Sequence, residues 1–150
     1  MPSFEDFTVG RVFELPPHTV TAEEIIEFAQ EFDPQPFHLD GGSEQAKQVG
    51  GLIASGWHTS AIMMRMICDG YLLDSPSQGS PGLDEVRWLK PVRPGDTLSA
   101  TAEVLDSRMS KSRPSLGIIS FVYIMTNQHG EEVMRTKGVG MFKSGLEDPA

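Results

Sequence analysis

Cysteine is almost missing from this chain: Cys68 is the only one, so no internal disulfide can form and a reducing cytoplasm is the expected compartment. Long apolar runs are missing too. No stretch approaches the roughly 20 residues of a membrane-spanning helix, and the opening Met1-Pro-Ser-Phe-Glu-Asp6 has neither the basic nor the apolar region of a secretory leader. Positive charge is scarce: 12 Lys+Arg stand against 21 Asp+Glu, a net charge of -9. A phosphate backbone repels such a chain, so no nucleic acid is expected as a partner, and no membrane either. The scarcity is uneven. Residues 1–60 hold ten acids with only Arg11 and Lys47 as bases, whereas residues 61–150 hold eleven acids and ten bases. A small polyanionic ligand would have to be met by bases of the second half.

What is present is ordinary globular composition, 39% hydrophobic and 22% charged. A chain of 150 residues buries enough surface to fold without a disulfide or metal, so residues 1–150 are expected to form one domain. Arg11-Val-Phe-Glu-Leu15 reads as a first strand ended by Pro16-Pro17. Thr21-Ala-Glu-Glu24 fits a capping box, after which Ile25, Phe28, Ala29 and Phe32 recur at helical spacing. Pro34 should end that helix. Residues 33–53 carry two prolines and four glycines and read as irregular, with a helical turn near Glu44–Gln48. From Ser55 to about Leu73 the residues are apolar on nearly every side, the mark of a buried helix.

The remainder alternates like strand. Leu98, Ala100, Ala102 and Val104 interleave with polar residues at a period of two, Leu116–Thr126 is apolar on both faces, and Val133–Phe142 follows a turn at Asn127–Gly130. One buried helix followed by several antiparallel strands implies an α+β fold whose sheet curves around the helix. A sheet edge left open makes a homodimer or higher homo-oligomer the expected state.

The chemistry concentrates in Asp33-Pro-Gln-Pro-Phe-His38. The two prolines forbid a continuous helix and leave a stiff extended turn able to present a carboxylate and an imidazole to one cavity, a pairing suited to moving protons at neutral pH. The same residues also suit an ordinary loop, with Asp33 a surface acid and His38 a hydrogen-bonded loop histidine. A second constellation is Gly50-Gly-Leu-Ile-Ala-Ser-Gly-Trp-His58. Glycines before a buried helix allow close backbone approach, and the free amides of the helix start, Gly56 first among them, can stabilise an oxyanion. The competing reading is that the glycines serve packing and Ser55 caps the helix.

His18, His58 and His129 are scattered and His38-Leu-Asp40 lacks converging partners, so no metal is expected. Met63, Met64 and Met66 read as core filler. No Gly-x-Ser-x-Gly elbow marks a serine hydrolase.

These segments resemble the MaoC-like acyl dehydratases, the group that includes the (R)-specific enoyl-CoA hydratases on the hot-dog fold. The resemblance covers nearly the whole chain, through Phe4–Gly10, Phe28–His38, Gly50–His58 and Arg87–Asp96. The family motif is Asp, one residue, Asn, Pro, an apolar residue and His. Asp33, Pro36, Phe37 and His38 match it; Gln35 stands in place of Asn, and Ser55 in place of a frequent His.

The resemblance implies reversible addition of water across the 2,3 double bond of an enoyl thioester. Asp33 would be the main base, His38 would orient water and transfer protons, and the Gly56 amide would hold the thioester oxygen, with Ser55 and Trp57 beside the substrate. The carrier would be coenzyme A or acyl-carrier protein, coenzyme A being part of the substrate and no cofactor being required. Its phosphates would be met by Arg87, Lys90 and Arg93 near one turn, or by Arg108, Lys111 and Arg113 in a loop, and the methionines could then line an acyl chain. A hot-dog thioesterase and a non-catalytic acyl-thioester-binding protein are the alternatives.

Overall fold

The period-two pattern after Thr97 becomes the inward face of a long strand. A computed structural model describes residues 2–149, and in it β3 (Thr97–Met109) buries Leu98, Ala100, Ala102 and Val104 while their neighbours stay more accessible. Around it are β1 (Val12–Thr19), β2 (Ser77–Trp88), β4 (Leu116–Thr126) and β5 (Glu132–Lys143). All pairings are antiparallel, in the order β1-β3-β4-β5-β2. β4 is the middle strand, which is why it is apolar on both faces. The expected α+β arrangement, a sheet lying against a long helix, is what the structure shows.

α1 (Ala22–Phe32) starts where the capping box predicts. The Glu24 amide donates to the Thr21 hydroxyl at 3.2 Å and the Thr21 amide to the Glu24 carboxylate at 2.7 Å. It buries Ile25 and Ala29, whereas Phe32 is exposed. α2 (Pro36–Leu39) and α3 (Glu44–Gln48) are single turns, and α4 (Gly56–Ile67) continues as a π-helical turn over Cys68–Leu72. α4 buries Ile62, Met63, Met66 and Ile67 in the core, but Trp57 and Met64 stand on an open outer side, so the helix is sheathed on one side only.

Three expectations need correction. β1 does not stop at Pro16-Pro17 but runs to Thr19. As an edge strand it can do without the two missing amides, and its register shifts between Leu15 and His18 to absorb the prolines. β2 was not anticipated: Gly79, Pro81 and Gly82 disguise it, and it pairs with β5 only by way of three register shifts. The turn around His38 is not extended throughout. Only Asp33 to Gln35 is irregular, and Pro36, whose missing amide costs nothing in a first helical turn, opens α2.

The core joins Phe7, Phe13, Tyr71, Phe121 and Phe142, with ring centroids 4.5 to 5.9 Å apart around Phe7. The chain's two tyrosines bond to each other there, hydroxyl to hydroxyl at 2.9 Å. Burial pushes the Tyr123 phenol up to about 12 and Tyr71 further still, so both stay neutral. No helix among the described residues is long and apolar enough to cross a membrane.

Candidate active site

The candidate acid–imidazole pair sits where the end of α1 meets the start of α4. Asp33 is the C-cap of α1, and its amide donates to the Ala29 carbonyl at 2.9 Å. His38 lies two residues into α2, buried to 5% exposure. Its Nδ1 is 2.6 Å from the Ile53 carbonyl. A carbonyl only accepts, so Nδ1 carries a proton and donates; in the neutral imidazole the lone pair is then on Nε2. Nε2 lies 3.4 Å from Oδ2 of Asp33.

The other oxygen of Asp33 is occupied, because Gln35 Nε2 donates to Oδ1 at 2.7 Å. Burial pushes the Asp33 carboxyl up, but the Ser55 hydroxyl, the Gln35 amide and the adjacent His38 outweigh it. The group is held below its ordinary value and is an anion at neutral pH. Gln35, read in the sequence only as a departure from the motif, therefore orients the acid. Its place two residues after Asp33 was the available signal.

Asp33 and His38 open into a cleft of about 400 Å³ with Phe37, Gly56, Trp57 and Trp88 among its walls. Gly56 is the first residue of α4, and its amide finds no protein acceptor among the described residues, so it is a free donor on the positive end of that helix. Gly56 also has to be glycine: an added Cβ would sit 2.5 Å from the Trp88 indole. Ser55 is fully buried and caps α4 by accepting from the Trp57 amide at 3.2 Å.

The sequence singled out six bases for the carrier's phosphates, and of these only Lys90 lines this cleft. Lys90 stands on its wall, paired with Glu131. Arg87 is on β2, not in a turn, and pairs with Glu85. Arg93 donates to the Val49 carbonyl. Lys111 and Arg113 lie in the β3–β4 connection, where Arg113 meets Asp148 at 3.6 Å, and neither lines the cleft. Among the described residues no cluster of three or more His, Cys, Asp or Glu has the geometry to hold a metal. Sequence reasoning missed Trp88, whose indole bonds Ser60 at the cleft wall, because nothing local marks that contact.

Comparison with known proteins identifies the fold that carries this site. A MaoC-like dehydratase from Rhodospirillum rubrum is 44% identical in sequence, with a TM-score of 0.84 over 95% of this chain and 97% of its own. YdeM, an uncharacterized protein of Bacillus subtilis strain 168, is 35% identical over 125 residues, 83% of this chain and 86% of that protein. The R-hydratase PhaJ1 from Pseudomonas aeruginosa shares the fold at 20% identity, with a TM-score of 0.72 over 98% of this chain and 93% of its own. The sheet curved around its helix is thus the hot-dog arrangement. The sequence model of the MaoC like domain matches residues 5–120, and the chain belongs to that family.

Proposed function

We propose that the protein is a hydro-lyase that adds water reversibly to the 2,3 double bond of an enoyl thioester. The observation that carries this reading is the meeting of Asp33 Oδ2 and His38 Nε2 at 3.4 Å, in the same cleft as the free Gly56 amide. Two acceptors that close, each with its other polar atom already bonded, fit one water donating a proton to each. The water oxygen then keeps a lone pair for the β-carbon.

In this mechanism the thioester oxygen accepts from Gly56, which with the helix dipole stabilises the enolate that forms as the oxygen adds. Asp33 is the principal base and His38 holds the water and shares its proton, which returns to the α-carbon. The hydroxyl ends on C3 and the proton on C2, and dehydration is the same path reversed.

Coenzyme A or an acyl-carrier protein is the carrier, with Lys90 at the cleft and Arg87, Arg93, Arg108, Lys111 and Arg113 as the bases that meet its phosphates. No cofactor is needed. The lone Cys68 fits a reducing cytoplasm. The open edge of β2, the last strand of the sheet, favours a homodimer or larger homo-oligomer of one-domain subunits.

The test is hydration of crotonyl-CoA, read as loss of enoyl absorbance and formation of 3-hydroxybutyryl-CoA. Free thiol without the hydroxy product would replace this reading by thioester hydrolysis, and binding without turnover across a chain-length panel by an acyl-binding role. Reversing charge at Lys111 and Arg113 together should raise KM for the CoA thioester, and an unchanged KM removes them from the carrier site.

A further inference from the structure

Two separate cavities lie along α4 and β2: the active-site cleft, with Gly56 and Trp88 on its walls, and a second one further along the helix. The strand runs along the helix in the opposite sense: Trp88 lies at Gly56 and Ser60, while Leu83 and Ser80 share a second cavity with Met64 and Ile67. That second cavity is about 270 Å³ and mostly apolar, and it reaches inward to Tyr71 and Phe121. The phenols of Tyr71 and Tyr123 on its wall share one hydrogen bond, in which one hydroxyl donates and the other accepts. On the helix, Ser60 is one turn past Gly56 and one turn before Met64, so it marks the boundary between the two spaces.

The Trp88 indole lines the active-site cleft and docks at that boundary, partly exposed but held by several contacts. Its Nε1–H donates to the Ser60 hydroxyl at 3.2 Å, and that hydroxyl donates to the Gly56 carbonyl at 3.0 Å. The ring occupies the volume a Cβ on Gly56 would need, and Trp57 packs edge-on against it with centroids 5.1 Å apart. An indole held this way is a wall, not a loose surface side chain.

We infer that Trp88, docked on Ser60 and Gly56, sets the acyl length this site accepts by closing the active-site cleft off from the second cavity along α4. This rests on the enoyl-thioester reading above. With the thioester oxygen on the Gly56 amide, a short acyl group ends inside the cleft, and a longer tail can enter the second cavity only through the space the indole occupies. A methylene that does not fit costs roughly 10- to 200-fold in discrimination, so the barrier is sharp between adjacent chain lengths.

The test is a panel of trans-2-enoyl-CoAs of four, six, eight and ten carbons on wild type, Trp88→Ala, Trp88→Leu and Ser60→Ala. Dissociation constants for butyryl- and octanoyl-CoA are measured in parallel, with size-exclusion chromatography to confirm unchanged assembly. Wild type should prefer four carbons, and Trp88→Ala should raise the eight-to-four ratio of kcat/KM by at least about tenfold. Ser60→Ala, which only unpins the ring, should raise it less. Met64→Trp in the Trp88→Ala background should reverse the gain by refilling the second cavity.

Wild type that handles eight carbons as well as four overturns the inference, as does a ratio unmoved in both Trp88 variants. If no variant hydrates any enoyl thioester, yet octanoyl-CoA binding tightens relative to butyryl-CoA in Trp88→Ala, the hydratase reading fails and the gate stands. Unchanged binding ratios in that case sink both.

Discussion

Two carboxylate–imidazole clusters sit against the first turn of α4, and their contrast shows what sets one of them apart as the candidate site. At Asp33 and His38, each group has one polar atom tied down, by Gln35 and by the Ile53 carbonyl, and one left free toward a cleft that also holds the Gly56 amide. At Glu24 the carboxylate is consumed. It accepts from the Thr21 amide at 2.7 Å, meets His18 Nε2 at 3.0 Å and faces His58 Nε2 at 3.5 Å. That second cluster ties β1, α1 and α4 together, helped by His58 stacking on Phe28 with centroids 5.0 Å apart. On the proposed reading, the same two chemical groups serve proton transfer where a lone pair meets a cleft that also holds a free amide donor, and serve as a clamp where the carboxylate is shared among a backbone amide and two imidazoles, although that cluster also borders a cavity of about 290 Å³. Burial does not separate them: His38 and His58 are both buried, at 5% and 6% exposure. Orientation does.

The contrast breaks most easily at the first cluster. Asp33→Asn and His38→Gln should each lower kcat/KM for crotonyl-CoA by roughly 10²–10⁴-fold, with far-UV circular dichroism and melting little changed. Near-normal turnover in both would falsify the assignment. Glu24→Ala should do the opposite. Losing the capping box and the anchor of two histidines should cost on the order of 1–3 kcal/mol in urea unfolding, with kcat/KM for folded protein kept within a few-fold. A stable but inactive Glu24→Ala would show that the two clusters are not separable.

Gly56→Ala sharpens the border between them. The new methyl group collides with the Trp88 ring, and overpacking of this kind costs about 1–3 kcal/mol. Because the amide itself survives, KM for short substrates should suffer less than stability; denaturation and kinetics measured on the same preparation decide the point.

The smallest effect is a pH slope. Burial lowers the His58 pKa from its ordinary 6.5, against the pull of Glu24, so the unfolded chain binds a proton more readily than the folded one. The stability linked to His58 is therefore complete above pH 6.5 and declines as pH falls below that value toward the lowered folded pKa. In His58→Phe, which keeps the stack on Phe28, the decline of Tm between about pH 7 and pH 5 should be shallower. An identical slope would mean that another group carries it.

How much of this was legible followed from the reach of each interaction. Thr21 and Glu24 are three residues apart, and the capping box they form depends on backbone geometry within one turn. The inward face of β3 likewise follows from the alternation of side chains along a strand, whatever lies opposite. Asp33 and His38 are five residues apart, so the proline-framed chain between them could be judged from the sequence, although it misjudged Pro36 as barring a helical turn that Pro36 in fact begins. β2 was hidden because glycine and proline speak against a strand locally, and its pairing with β5 overrides them through register shifts.

The sequence by itself determined the helix starts, the strand alternation, the acidic character and the acid–imidazole spacing, since each is a property of residues within a turn or two of one another. Only the tertiary structure decided that His18, Glu24 and His58 meet, that Trp88 stands on Gly56, and that His38 turns Nε2 toward the cleft. Those outcomes depend on where distant segments come to rest when the core is filled. A glycine's empty face or an imidazole's free nitrogen acquires meaning only from the neighbour that packing places beside it.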